Sequence, residues 1–274
     1  MDDATVEILT ALNTDFYRRN AASFSQTRRA GWPGWDRCLV FAGQCGAFAP
    51  LDAKMPTRGL EEGCSLFDLA CGNLRFENYL VDTFPRANFS FHAIDNCGDL
   101  VCPEGSGLPL RYQELDVMGA LLRDPDLASV IEAPRCDMAV SFGFMHHVPS
   151  KRYREAVLRA LVEQTRVGGC VVVSFWRFLR SDQLARKAAL THEQALRERS
   201  LPALEAGDYL LGWKNIPGEY RYCHHFTDVE IDDLVASVSP AVREIARFSC
   251  DGRTADLNTY VVLEVLGSPS GKSR

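Results

Sequence analysis

Between residues 64 and 176 the chain alternates short apolar runs with amphipathic stretches, and this alternation restricts the available folds more than any other feature. The segments are CSLFDLA (64–70), FENYLVDTF (76–84), NFSFHAID (88–95), LRYQELD (110–116), GALLRDPDLASVIE (119–132), CDMAVSFGF (136–144), SKRYREAVLRALVEQTR (150–166) and GGCVVVSFW (168–176). They read as strand, helix, strand, strand, helix, strand, helix, strand. Such an order predicts a mostly parallel sheet with helices on both faces. Ser150 stands as an N-cap and Gly168-Gly169 as a helix stop. A helix over 227–238 and strands over 241–249 and 257–266 complete the pattern. The last two strands are joined by a short connection, DGRTAD, so they are expected to pair antiparallel.

The flanks read as covers for this sheet. Residues 4–30 are predicted helical, with Val6, Leu9, Leu12, Phe16 and Tyr17 at helical spacing, and a second helix runs from Trp35 through Phe41. Residues 50–63 read as loop. A polar helix over about 181–206 and a loop, GDYLLGWKNIPGEYRY, follow the fifth strand. The expected organisation is one domain over 1–266. It comprises a helical N-terminal cap (1–50), a cofactor-binding core (60–176), a substrate lid (177–225) and a closing helix with strands (226–266), before a disordered tail (267–274). The fold class is α/β, a three-layer α-β-α arrangement around a seven-stranded, mostly parallel sheet with an antiparallel last strand, and 274 residues suffice for it.

Composition removes several function classes. The 30 Lys+Arg against 36 Asp+Glu give a net charge of −6, unlike a protein held on nucleic acid by a broad basic field. No apolar run approaches the roughly 18–20 residues of a membrane span, and the N-terminus carries acids where an export signal carries bases. No membrane association and a cytoplasmic location are therefore expected. No two of the 10 cysteines form a C-x-x-C pair, and several sit inside apolar runs. They read as reduced packing residues, with no metal expected.

The chemistry concentrates at strand ends. The first strand ends in Asp68-Leu69-Ala70-Cys71-Gly72-Asn73-Leu74-Arg75, directly before a helix whose free amides face a ligand. The second ends in Asp95, 23 residues beyond Gly72, at the distance where a carboxylate accepts from both hydroxyls of a ribose. Asp116 follows the third strand, where an adenine amine can donate to it. Three strand-tip carboxylates in succession point to an adenosine ligand. The complete G-x-G-x-x-G of a nicotinamide site is absent, and so is a Walker loop. Asp68 repels a pyrophosphate but suits a ligand with an ammonium and a sulfonium group, which favours S-adenosylmethionine.

Over about 60–176, D-x-A-C-G-N, AID, an Asp before a helix, CDMAVSFGFMHHVPS and R-V-G-G-C together resemble the class I S-adenosylmethionine-dependent methyltransferases. The resemblance implies their Rossmann-like fold. The flanks FYRRNAASFSQTRRAGWPGW (16–35), GDYLLGWK (207–214) and RYCHHF (221–226) are similar to the eukaryotic tRNA wobble-uridine carboxymethyl methyltransferases. Phe24, Ser25, Thr27, Arg28, Trp32 and Pro33 match that family's F-S-x-T-R and W-P pattern. The resemblance implies that Asp68, Ala70, Gly72 and Asn73 hold the methionine end of the cofactor. It implies Asp95 and Asn96 at the ribose, Asp116 and Val117 at the adenine, and Ser141, Phe142, Gly143 and His147 beneath the cofactor. It further implies tRNA as a partner and a small activator subunit. Ala70 and Leu74 stand where the family has glycines, so Leu74 must avoid positive φ or accept strain.

Candidates for catalysis are His146, Arg28, Arg221 and His224. Those for acceptor binding are Arg28, Trp32, Trp213, Tyr222 and His224. Each has a plainer alternative: His146-His147 as packing against the next helix, and Trp32, Trp35, Trp176 and Trp213 as lid core. Arg177, Arg180, Arg186 and Lys187 either grip phosphates or form a solvated face. Cys223-His224-His225 is rejected as a metal site because neighbouring side chains on an extended segment point opposite ways. Three functions follow: methylation of a carboxymethyl group on tRNA wobble uridine, methylation of a small carboxylate or amine, or cofactor binding without catalysis in a partner subunit.

Overall fold

The computed structural model describes residues 1–27, 30–45, 63–101, 107–199 and 201–267. Two helices precede the sheet: α1 (Asp3–Gln26) and α2 (Pro33–Gln44). Asp2 caps α1 by accepting from the Thr5 amide at 2.8 Å, and Pro33 opens α2, where its missing N–H is no loss. There follow β1 (Cys64–Leu69), α3 (Arg75–Thr83), β2 (Phe89–Asp95), the short α4 (Gly98–Val101), β3 (Leu110–Glu114), α5 (Val117–Arg123) and β4 (Cys136–Ser141). Next come α6 (Lys151–Glu163), β5 (Thr165–Trp176), α7 (Asp182–Glu198), β6 (Asp208–Gly212) and β7 (Tyr220–His224). The chain closes with α8 (Asp228–Ser237), β8 (Val242–Cys250) and β9 (Asn258–Val265).

The expected sheet is present. Its seven strands lie in the order β3-β2-β1-β4-β5-β9-β8, parallel from β3 through β5, with β9 antiparallel to both neighbours. The chain reverses its direction of travel between β1 and β4, the place where open α/β sheets bind ligands beyond their strand ends. Strand alternation divides the core. Phe67, Leu69, Ala139, Val171 and Val173 face α5, α6 and α8, whereas Leu66, Met138, Val140, Cys170 and Val172 face α2 and α3. The nine described cysteines are all free and eight are buried, whereas Cys102 lies outside the described residues.

Several local expectations need correction. The stretch after α7 is a β-hairpin, not a loop: β6 and β7 pair antiparallel around a turn in which Lys214 and Asn215 adopt φ of 47° and 59°. Every residue of β7 is buried, so the polar-apolar alternation that marks a half-exposed strand is missing from it. Ser150 has a φ of 69° and no capping hydrogen bond from its side chain. The glycines 168 and 169 lie inside β5 rather than ending α6. The pairing of β4 with β5 skips from Thr165 to Cys170, and Gly168 takes the positive φ (77°) that this bulge requires. The predicted loop over 50–63 lies almost wholly outside the described residues, and so does most of the expected tail. Among the described residues, no helix is long and apolar enough to cross a membrane.

Candidate active site

A cavity of about 390 Å³ opens over the tips of β1, β2, β4 and β5, roofed by α1 and by the segment leading into α2. Its wall on the β1 side begins with the loop after β1. Ala70, Gly72 and Leu74 all have left-handed backbones, with φ of 67°, 59° and 54°. For Ala70 and Leu74 this conformation is unfavourable by about 1 kcal/mol each relative to glycine. Leu74 is held there by burial against Cys71, Ala93 and Val101. The tight turn makes the Gly72 amide donate to Asp95 Oδ2 at 2.9 Å, while the Cys97 amide donates to Oδ1 at 3.0 Å. Each carboxylate oxygen keeps a further lone pair for a ligand. Burial raises the Asp95 carboxyl above the usual range, against the pull of these amides.

Asp68 lies deeper, at 3 % exposure, beside Glu77 of α3 at 0 %. Asp68 Oδ1 and both Glu77 oxygens receive no N–H or hydroxyl hydrogen bond among the described residues, and the two carboxyls have each other as partner. Burial, and then the Glu77 charge, push Asp68 well upward; burial likewise raises Glu77. Two buried carboxyls side by side cannot both ionise without a cation, so the pair retains a proton. Glu77 was missed in the sequence because an acid in the first turn of a helix reads as an ordinary partner for the helix dipole. Its position beside buried Phe76, nine residues past a strand-tip Asp, was the available signal. Asp116 caps α5 through the Gly119 amide (2.9 Å) and is exposed at the cavity rim.

The cavity also brings in Asn73, Asn96, Val117, Phe142, Gly143 and Trp32. Gly143 has a φ of 78°, and a Cβ there would sit 3.3 Å from Trp32. Ser141 does not line the cavity. Its hydroxyl is fully buried and donates to the Leu69 carbonyl at 3.0 Å, tying β4 to β1. Arg28 lies outside the described residues.

At the opposite end stand His146, His147, Tyr17, Trp176 and Arg221. His147 Nδ1 meets the Tyr222 carbonyl at 2.8 Å and Nε2 meets the Tyr17 hydroxyl at 2.7 Å. A carbonyl only accepts, so Nδ1 carries the proton and Tyr17 donates to Nε2. The His146 ring lies 5.0 Å from Trp176. Within β7, alternation sends Arg221 and Cys223 toward this end and Tyr220, Tyr222 and His224 away from it.

Tyr222 and His224, expected at the acceptor, are therefore placed elsewhere. Asp208 Oδ1 accepts from the Tyr222 hydroxyl and meets His224 Nδ1, both at 2.7 Å, while Arg154 donates to the Tyr222 hydroxyl at 3.0 Å. His224 Nε2 meets Glu230 at 2.9 Å. Although burial acts to raise it, Glu230 is held at about 2 by His224 and by the Thr227 amide and hydroxyl. This network fastens the hairpin to α6 and α8. Trp213 likewise does not line the cavity; its ring lies 5.3 Å from Arg221 and 5.8 Å from Phe16. Arg177 is paired with Asp228 at 2.7 Å, and Arg180 donates to Ser249 at 3.0 Å, whereas Arg186 and Lys187 are exposed on α7.

Three groups that commonly ligate metals, His146, His147 and Cys223, approach within 4.8 Å of one another, a grouping the sequence did not suggest. Both His147 nitrogens are already engaged. Burial pushes the Cys223 thiol up to about 11, and the Arg221 charge stands beside it. That environment favours an anion over a cation.

The sequence matches no protein-family model and no curated protein. Among solved structures, an S-adenosylmethionine-dependent methyltransferase from Methanosarcina mazei is 15% identical with a TM-score of 0.53, over 75% of this chain and 94% of that one. The CcbJ methyltransferase from Streptomyces caelestis is 11% identical with a TM-score of 0.54, over 93% of this chain and 98% of that one. At these identities the likeness is one of fold.

Proposed function

We propose that the chain is an S-adenosylmethionine-dependent methyltransferase. The observation that carries this reading is the convergence of Asp68, Asp95 and Asp116, from three adjacent strand tips, on one cavity. The residues fit the cofactor's functional groups. Asp68 Oδ1, buried beside Glu77 and without an N–H or hydroxyl donor among the described residues, suits an ammonium and would receive it together with Glu77. Asp95, already fixed by two amides, is set to accept from ribose hydroxyls, and Asp116 from an adenine amine. Arg75, directly after the loop and over Trp32, is placed for the methionine carboxylate. Bound there, the cofactor supplies a methyl group activated by a positive sulfur. The chain's task is then alignment and the exclusion of water, for which α1, Trp32 and the hairpin close the cavity. Tyr17 and His147 form a hydrogen-bonded pair at the acceptor end that can take a proton from a protonated acceptor.

The tRNA wobble-uridine acceptor and the small activator subunit are proposals supported by the resemblance of the flanking segments. Calorimetry with S-adenosylhomocysteine tests the cofactor, and absence of binding at millimolar concentration removes the reading. Labelled methyl transfer to bulk tRNA, set against a small-metabolite extract, tests the acceptor. Label confined to the small-metabolite fraction removes tRNA.

A further inference from the structure

The helix that follows the cavity roof is capped from the opposite edge of the sheet. Its N-cap position, where Ser, Thr, Asp or Asn is preferred, is occupied by Trp32, which lines the cavity and supplies no side-chain cap. Pro33 has no amide, so the first free N–H of α2 is that of Gly34. It donates to Asp251 Oδ1 at 3.0 Å, across 217 residues of sequence. Asp251 directly follows β8, the edge strand, and lines the cavity at 6 % exposure. Its other oxygen accepts from the Asn258 side chain at 2.8 Å and from the Tyr260 hydroxyl. Burial, and then the Asp251 charge, raise the Tyr260 hydroxyl, which keeps its proton and stays a donor. Asp251 takes a left-handed backbone, with φ of 68°, a conformation that aspartate tolerates better than most residues. Gly34 lies flat on the Tyr260 ring, where a Cβ would sit 2.3 Å from Cε2. The chain thus places an indole where a local cap would stand and takes the capping carboxylate from elsewhere.

We propose that Asp251 is a positioning residue of the cofactor site, holding the start of α2 so that the Trp32 indole stays between Gly143 and Arg75. This role rests on the methyl-transfer reading above and adds to it a residue from outside the parallel strands. Gly143 follows β4, and a Cβ on it would meet Trp32 at 3.3 Å. The Arg75 guanidinium, at the end of the loop after β1, lies 4.8 Å from the Trp32 ring and donates to the Ala30 carbonyl at 3.3 Å. The segment leading into α2 is therefore tied on both sides of Trp32, by Arg75 before it and by Asp251 after it. An indole fixed in this way covers a bound cofactor and keeps water from it. Removing the Asp251 carboxylate releases the second tie and leaves Asp68, Asp95 and Asp116 where they are.

The test is a double-mutant cycle on the full chain, with Asp251→Ala and Trp32→Ala made singly and together and S-adenosylhomocysteine affinity read by calorimetry. Each single variant is expected to weaken binding about tenfold. In the Trp32→Ala background, Asp251→Ala should add less than about twofold, because the carboxylate acts through the indole. Asp251→Asn keeps an oxygen for the Gly34 amide and accepts a left-handed backbone, so it should retain most of the affinity. A second readout is fluorine NMR of the chain labelled with 5-fluorotryptophan, the Trp32 signal being identified by its loss in Trp32→Ala. Asp251→Ala should shift or broaden that signal. Equal weakening in both Trp32 backgrounds overturns the proposal, and so does native affinity in either single variant or an unmoved Trp32 signal. Should Asp251→Ala fail to fold, hydrogen exchange of the native chain decides: S-adenosylhomocysteine should slow exchange of the Gly34 amide, and unchanged exchange there overturns the proposal. Failure of the native chain to bind S-adenosylhomocysteine is a different result and falls on the cofactor reading. The Trp32 signal of the ligand-free chain then still shows whether Asp251 holds the roof.

Discussion

The two ends of the cavity are built on opposite plans. The end over β1 to β3 is acidic, with Asp68, Glu77, Asp95 and Asp116 contributed by one stretch of about fifty residues. The end over β4 and β5 is aromatic and cationic, with Tyr17, His146, Trp176 and Arg221 drawn from four distant segments. The acidic end is tuned by crowding: two carboxyls share one proton in the absence of a cation. The other end leaves the Arg221 cation without an anion among the described residues. Among the described residues, each end lacks the charge that a ligand of opposite sign would bring.

Breaking the support of the cationic end has the largest expected effect. Asp208→Ala leaves the buried Arg154 guanidinium, 3.7 Å from Asp208, without its acid and His224 with Glu230 alone, and about 3–5 kcal/mol of stability should be lost in urea unfolding. S-adenosylhomocysteine affinity of the folded protein should change less than tenfold, because the acidic end is separate. At that acidic end, Asp95→Ala should weaken S-adenosylhomocysteine at least tenfold by calorimetry, about 1.4 kcal/mol. Unchanged affinity would place the ribose elsewhere.

The shared proton sharpens the contrast further. In the folded, ligand-free chain the Asp68 and Glu77 carboxyls sit above their unfolded range of about 4. The folded state therefore binds more protons than the unfolded state, and its stability falls as pH rises from that range toward neutrality. Glu77→Gln should flatten this slope and gain on the order of 1 kcal/mol at about pH 8, measured by urea unfolding at two pH values. An ammonium ligand favours the ionised pair, so affinity for S-adenosylhomocysteine should rise with pH over the same range and do so less in Glu77→Gln. The smallest effect is expected at Ala70. Ala70→Gly relieves a left-handed alanine and should add about 0.5–1 kcal/mol, seen as a small rise in Tm.

Legibility in the sequence follows the same division. Asp68, Gly72, Asp95 and Asp116 could be read because strand ends and spacing are local properties, and the mostly parallel sheet with its antiparallel last strand followed from alternation and a short final connection. Leu74 announced its own strain, since a glycine position filled by leucine permits few backbones. Glu77 was hidden because helix patterning does not distinguish an acid on the buried face from one at the surface. Tyr222 and His224 were misplaced because their facing depends on the register of a hairpin that read as loop. A one-residue difference in register turns every side chain of a strand over.

By itself, then, the sequence determined the layered α/β fold, the strand-tip acids and the loop that fixes Asp95. These depend on periodicity and on contacts between near neighbours along the chain. Tertiary structure alone decided that Asp68 and Glu77 share a proton and that β7 turns Arg221 inward while His224 anchors outward. It alone left the buried Arg221 guanidinium without a counter-ion among the described residues. The reason is physical: burial and pairing of charge are set by groups far apart in the chain, whose meeting no local pattern records.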